Sequence, residues 1–352
     1  MTIPPDNPQR ILLIKPSALG DVVTAAPVLR GLRRRFPNSH IAWLVATSCV
    51  DLIRHDGDLN EVILFDRKAA GRLGVAGFRT LSRLRGQLKG GRFDWVIDLQ
   101  GLLRSGLMTR AAGSPLRAGF VDAREGASFF YTHKFAPASA HTVDRNIELA
   151  RSLGVDAGAA DFTLQVAAPA REFAASLLAR LGVTAKSFVV CVPPTRWATK
   201  VYPARHWRAV IGEIARRCPV LVVGGPGDVA LCTQACENAQ AGNDVSHVHN
   251  LAGQTSVSQM VAVIEASRGV VCSDSAAKFI APAVGTPAVA LLGPTRVEHT
   301  GVYTPGPHVR AVNITASLPC QGCLRRRCPH VACMQSIPPA RVVETAVNTF
   351  DL

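Results

Sequence analysis

The segment Ile11-Leu12-Leu13-Ile14-Lys15-Pro16-Ser17-Ala18-Leu19-Gly20-Asp21 starts with four consecutive apolar residues and stops at Lys-Pro before a small, polar turn. A run apolar on both faces is a short buried strand, and the turn behind it leads into a helix. Residues 28–36 carry helical periodicity, and Pro27 is tolerated near that helix's start. Pro37-Asn38-Ser39 breaks the chain, and residues 41–45 form the next strand. Strand-like runs recur at 62–65, 95–99 and 118–121, with polar or helical stretches between them. This alternation predicts a parallel sheet covered by helices.

A second series of apolar strands follows at 188–192, 220–223, 245–251, 269–272 and 288–292. Helices at 206–217 and 256–266 alternate with them. The stretch 157–170, rich in Ala, Gly and Pro, reads as a linker. The expected fold class is therefore α/β, with two Rossmann-like domains (1–168 and 169–352) whose parallel sheets face a central cleft. Length agrees: 352 residues exceed the roughly 250–300 at which one core stops growing. Open sheets of this kind bind ligands at the carboxyl ends of their strands, so the loops after strands matter most.

Composition narrows the function classes. With 48% hydrophobic and 18% charged residues, the chain is not a disordered one. A net charge of +14 calls for an anionic partner: a nucleic acid, a phosphate-bearing substrate or an acidic membrane surface. Residues 67–134 hold thirteen Lys and Arg against only Asp94, Asp98, Asp122 and Glu125. Nucleic acid fits least, because aromatics are only 6% and no binding motif is visible. Residues 1–10 show no basic start before an apolar core, so no secretory signal is expected and the site of action is cytoplasmic. The longest uncharged apolar run, 279–295, contains three prolines and reads as strands and turns, not as a membrane-spanning helix. Ten cysteines in such a chain point to a reducing compartment.

Four segments after strands carry candidate chemistry. Asp21 is a carboxylate at the start of a helix, suited to general-base work, and equally a residue favoured there by the helix dipole. Pro193-Pro194-Thr195-Arg196-Trp197-Ala198-Thr199-Lys200 offers hydroxyls and cations for a diphosphate, or plain solvated loop charges. Val222-Val223-Gly224-Gly225-Pro226-Gly227-Asp228 is a glycine-rich turn whose aspartate can accept ribose hydroxyls, yet it is neither a Walker loop nor a dinucleotide fingerprint. Asp274 and Ser275 are placed to cap a helix whose free N–H groups suit an anion.

In this order and spacing, the four segments resemble family 9 glycosyltransferases, the heptosyltransferases of lipopolysaccharide inner-core assembly, from about Arg10 to about Val343. Asp98-Leu99-Gln100-Gly101-Leu102-Leu103-Arg104-Ser105, Ala118-Gly119-Phe120, Leu251-Ala252-Gly253-Gln254-Thr255-Ser256 and Gly293-Pro294-Thr295 add to the likeness. The resemblance implies a GT-B fold with an N-terminal acceptor domain and a C-terminal nucleotide-sugar domain. It implies inverting transfer of heptose from ADP-L-glycero-D-manno-heptose to the lipopolysaccharide core, with no metal required for catalysis. The cysteine-bearing C-terminal segment places the chain nearest the second heptosyltransferase of the inner core. By position Asp21 is the general base, with Ser17 and Gly20 beside it on the acceptor side. Arg104 and Arg124 are candidates for acceptor anions. Thr195 and Lys200 would neutralise the donor diphosphate, Asp228 would face the ribose, and Asp274, Ser275, Ala276 and Lys278 would hold phosphate and sugar. Peripheral contact with the anionic inner face of the inner membrane follows from the acceptor.

One departure stands out. The family reads Asp-(Ser/Thr)-Gly-x-x-His where this chain has Asp274-Ser275-Ala276-Ala277-Lys278-Phe279. Ala276 replaces the glycine, Phe279 replaces the histidine, and Lys278 is the nearest substitute cation. Two other readings stay open: a family member with another nucleotide-sugar donor or a protein acceptor, and a non-catalytic binding protein with a degraded donor site. Near the C-terminus, Cys320, Cys323, Cys328 and Cys333 lie within 14 residues around His330. They suit tetrahedral Zn or iron, or are thiols without a metal. The other six cysteines read as core, and His141 and His206 as structural residues.

Overall fold

Strand β1 (Arg10–Ile14) lies between β2 (His40–Ala46) and β4 (Trp95–Asp98), parallel to both. Ile11, Leu12, Leu13 and Ile14 are fully buried, which is what a strand apolar on both faces requires. With β3 (Glu61–Phe65), β5 (Leu116–Phe120) and β6 (His133–Phe135), they form a parallel sheet in the order β3-β2-β1-β4-β5-β6. The helices are α1 (Leu19–Val23), α2 (Ala26–Arg35), α3 (Arg67–Ala70), α4 (Val75–Gly90), α5 (Leu103–Ala112) and α6 (Thr142–Ser152). The computed structural model describes residues 7–71, 75–237 and 247–352, and the chain divides into two compact units between Gln165 and Val166.

The second unit repeats the plan. Strands β7 (Val189–Val192), β8 (Val220–Val222), β9 (Val248–Asn250), β10 (Gly269–Ser273), β11 (Ala288–Leu292) and β12 (Ala311–Thr315) are parallel and ordered β12-β11-β10-β7-β8-β9. Their helices are α7 (Ala168–Leu181), α8 (Ala204–Ala215), α9 (Val229–Cys236), α10 (Val257–Ala266), α11 (Ala277–Ala283), α12 (Val297–Thr300), α13 (Ala332–Gln335) and α14 (Pro339–Phe350). Counted from its own first strand, each sheet has the order 3-2-1-4-5-6, the doubly wound Rossmann arrangement. Winding reverses between β1 and β4 in one unit and between β7 and β10 in the other. A ligand crevice opens at such a reversal, outside the strands' carboxyl ends.

Several expectations change. The edge strands β6 and β12 were not foreseen, because their half-exposed residues lack a continuous apolar run. The expected strand at 245–251 is β9 alone, and residues 245 and 246 lie outside the described residues. The helix after β1 is two helices, α1 and α2. The stretch 157–170 is packed in place: Ala157 and Phe162 are fully buried, and a Cβ on Gly31 of α2 would sit 2.9 Å from Val155. Within 279–295 the chain forms the end of α11 and then β11, not strands and turns alone. Among the described residues no helix is long and apolar enough to cross a membrane.

The second unit's core includes Trp207, fully buried and edge-on to Tyr202 at 5.7 Å between ring centroids. Trp207→Ala should destabilise this unit by about 3–5 kcal/mol, read as an earlier midpoint in urea. An unmoved midpoint would show that α8 contributes little to the core.

Candidate functional site

The loop between β1 and α1 fills the reversal point of the first unit. Asp21 is half-buried on the first turn of α1, and its Oδ2 accepts the Ala18 N–H at 2.9 Å. Its other oxygen makes no hydrogen bond among the described residues, so one contact orients the carboxylate and leaves an acceptor for a substrate hydroxyl. Ser17 and Gly20 flank it, and the Ser17 N–H reaches Gln100 Oε1 at 3.5 Å. Beneath the loop Lys15 is buried and donates to the Leu99 carbonyl at 2.5 Å. Burial lowers its ammonium pKa, while Asp21 and Asp98 pull the other way. Asp98, fully buried at the end of β4, accepts from Gln100 N–H (2.9 Å), Gly101 N–H (3.2 Å) and the Tyr131 hydroxyl (2.7 Å). Burial nevertheless pushes its carboxyl up.

Arg104 and Arg124 are both exposed. Arg104 lies over the Phe65 ring at 5.8 Å, and the Arg124 backbone N–H donates to the Gly101 carbonyl at 2.9 Å. Arg124 and Arg145 both repel the Lys15 ammonium, so three cations share this end of the sheet. Sequence reading missed Arg145, which arrives from α6 with no motif around it. It also passed over Lys15, although Lys15 stands inside the opening segment.

The second reversal point centres on Asp274, just beyond β10. Its side chain is almost fully buried and is gripped from three sides. Lys200 Nζ lies 2.8 Å from Oδ2, Lys278 Nζ pairs with Oδ1, and the Thr295 hydroxyl donates to Oδ2. Burial alone would raise this carboxyl, but the Lys278 and Lys200 ammonium groups outweigh it and hold it below the usual range. Lys278 is itself buried, which lowers its ammonium pKa against the pull of Asp274. Thr195 Oγ1 donates to the Asp274 carbonyl at 2.9 Å, so the loop after β7 is tied to β10. Two lysines on one carboxylate leave a local charge of one positive unit.

Other expectations shift here. Asp274 and Ser275 do not cap α11: the residue preceding the helix is Ala276, without a side-chain cap bond, and the Ser275 hydroxyl is buried without a partner. Phe279 is buried, with the Lys278 ammonium 5.0 Å from its ring centroid. Asp228 is half-buried and accepts the Gly225 N–H at 2.9 Å. Gly224 is demanded by packing, since a Cβ there would approach Cys232 Sγ and Pro194 to 2.9 Å. His141 caps α6 by accepting the Val143 N–H at 3.3 Å, in line with a structural role. Thr295 belongs to the Gly-Pro-Thr block already noted, but its pairing with Asp274 was not legible there.

Of the six cysteines read as core, five are buried and Cys236 is partly so; burial pushes the Cys272 thiol up to about 12. Cys320 and Cys323 are exposed, Cys328 is half-buried and Cys333 is buried. No group of three or more His, Cys, Asp or Glu side chains among the described residues is arranged to hold a metal ion. Burial raises the Cys333 thiol, and the nearby Cys320, Cys323 and Cys328 add to the rise, so the four thiols lie on one segment close to one another. Their segment clasps the loops that follow β7 and β11. Thr199 Oγ1 donates to the Arg325 carbonyl at 2.9 Å, and the Leu324 N–H donates to the Pro294 carbonyl at 2.7 Å. The Trp197 ring has Lys200 at 4.5 Å and Arg326 at 4.6 Å.

The sequence profile of glycosyltransferase family 9 (heptosyltransferase) matches residues 81–333. Lipopolysaccharide heptosyltransferase 1 of Pseudomonas aeruginosa is 29% identical over 334 residues, covering 91% of this chain and 88% of the relative. A family 9 glycosyl transferase of Veillonella parvula superposes with a TM-score of 0.77 at 18% identity, covering 97% of each chain. The Escherichia coli heptosyltransferase WaaC with ADP superposes with a TM-score of 0.75 at 23% identity, covering 97% of this chain and 99% of that one. Heptosyltransferases 1, 2 and 3 occur among the curated relatives at 29, 25 and 24% identity, so the second type is not singled out. The doubly wound order of both sheets is the GT-B architecture, and with the profile spanning most of its length the chain belongs to glycosyltransferase family 9, the heptosyltransferases.

Proposed function

We propose that the protein transfers heptose, with inversion at the anomeric carbon, from ADP-L-glycero-D-manno-heptose to the inner core of lipopolysaccharide. The observation that carries this reading is Asp274 held between Lys200 and Lys278 at the reversal point of the second sheet, a fixed positive site suited to a diphosphate. Relatives named lipopolysaccharide heptosyltransferase support the acceptor. WaaC structures with ADP and with ADP-2-deoxy-2-fluoro heptose support the donor.

In this mechanism Asp21 takes the proton from an acceptor hydroxyl, whose oxygen attacks the anomeric carbon from the face opposite the diphosphate. The bond from that carbon to the diphosphate oxygen breaks, and ADP leaves with the electron pair. One carboxylate is enough for the proton. The leaving group needs no general acid, because Lys200 and the unpartnered Ser275 hydroxyl offset and hold its charge, while Thr195 fixes the loop that carries Lys200. Asp228 holds the ribose, Ala276 lines the phosphate side, and Lys278 stands behind Asp274. Ser17 and Gly20 shape the acceptor side with Asp21, while Arg104 and Arg124 meet acceptor anions. The domain after residue 168 carries the donor and the one before it the acceptor, at an anionic membrane face.

The reading with a degraded donor site rests on Ala276 and Phe279. Ala276 has φ −61° and ψ −28°, a right-handed helical conformation in which a Cβ brings no backbone strain. A glycine is thus not required for the turn, which supports a working site.

Incubation with ADP-heptose and a heptose-bearing core acceptor should release ADP. Asp21→Ala should lower that release by at least about a hundredfold, and turnover surviving the change would refute the base assignment. Release with a different sugar nucleotide only, or binding without turnover, would favour the other readings. Lys278→Ala leaves Asp274 to neutralise Lys200 alone, so ADP-sugar affinity should fall about tenfold, or 1.4 kcal/mol, in titration calorimetry. Unchanged affinity would remove Lys278 from the donor site.

A further inference from the structure

Large exposed hydrophobic residues are concentrated on one part of the first unit. Val75, Phe78 and Leu81 lie on α4, Leu103 and Leu107 on α5, and Phe129 in the 3-10 turn Ala127–Phe130. Phe78 is 72% and Phe129 85% exposed. Helix α5 packs against both α4 and the turn, which makes the three elements neighbours. On α5 the spacing Leu103, Leu107, Arg110 sets one outward stripe, while Ser105, Met108 and Ala112 face inward. On α4 Phe78 shares an outward stripe with Arg85 and Lys89, about 100° around the helix from the buried Leu84 and Leu88.

The same region holds the basic excess of residues 67–134, and of its acids only Glu125 lies at this face, beside Leu103. Asp94 accepts the N–H groups of Gln9 and Arg10, Asp98 is buried, Asp122 pairs with Arg145, and Glu125 accepts the Leu103 N–H. Arg79, Arg83, Arg85 and Lys89 form no ion pair among the described residues. The face is thus apolar and cationic together. We propose that the outer face of α4, α5 and the turn Ala127–Phe130 is a docking surface for an anionic lipid bilayer. Aromatic and Leu side chains enter the acyl boundary while Arg and Lys stay at the phosphates. A second copy fits the face poorly, because two like-charged faces repel. This proposal names the membrane contact of the reading above and rests on its lipid-anchored acceptor.

The test is flotation of the full chain with phosphatidylethanolamine–phosphatidylglycerol vesicles and with phosphatidylcholine vesicles. The protein should float with the first, less so as salt rises, and not with the second. Arg85→Glu with Lys89→Glu should weaken binding about tenfold or more. Phe78→Ser with Phe129→Ser should weaken it about tenfold, with thermal unfolding unchanged because both rings are exposed. Turnover on a water-soluble, deacylated core acceptor should stay unchanged in all variants, while turnover on vesicle-embedded acceptor should fall. Equal binding to both vesicles, or variants that bind as well as the parent, would overturn the proposal. So would phenylalanine variants that abolish a dimer or oligonucleotide binding instead of vesicle binding. Absence of turnover by the parent on the soluble acceptor would overturn the heptosyltransferase reading instead.

Discussion

A parallel sheet has no face that water can share, and this constraint orders both units. Each central strand must be apolar on both sides, and the crossovers must cover the sheet with helices. Six parallel strands wound outward from the middle then leave one place per sheet where neighbouring crossovers depart to opposite faces. The loops after β1 and β4, and after β7 and β10, meet there by topology. Asp21 and Asp98 lie at one such place, Thr195 and Asp274 at the other. These side chains gather where the hydrogen-bonded framework leaves backbone free to turn.

Burial then decides what the charged residues can do. Asp98 and Asp274 are both withdrawn from water but are held differently. Asp98 receives neutral donors, and its carboxyl is pushed up; Asp274 receives two ammonium groups, and its carboxyl is held down. The first serves as a hydrogen-bond hub that fixes Tyr131 and the turn at Gly101. The second is a fixed ion cluster whose more accessible member is Lys200, with 16% of its side chain exposed against 4% for Lys278. A lone lysine on a mobile loop would lose rotamer freedom on meeting a ligand. Lys200 has already lost it to Asp274 and the Trp197 ring.

The central strands were legible in the sequence because continuous apolar runs have few other uses. The edge strands β6 and β12 were not, since a half-exposed edge resembles a loop. Local motifs placed Asp21, Thr195, Lys200 and Asp274 in the segments that follow β1, β7 and β10, where the structure has them, but their partners could not be read. Lys200 and Asp274 are 74 residues apart, and Arg145 reaches the Lys15 region from a helix whose own pattern is purely structural. Lys278 is the instructive case. Helical geometry turns it about 100° from position 279, yet both side chains end up buried, because the i, i+4 spacing brings Lys278 back onto Asp274.

The clasp between the cysteine-bearing segment and the loops after β7 and β11 has a mechanical meaning. Leu324, Arg325 and Arg326 act on the loop at 195–200 and on Pro294 as a splint, joining two loops that follow different strands, β7 and β11. Stiffness at the loop 195–200 is thus imposed from a stretch more than a hundred residues away, through Thr199 and Trp197. Of the neighbouring thiols, Cys333 belongs to the hydrophobic core itself, so a change of covalent state there would be felt in the core and at this splint together.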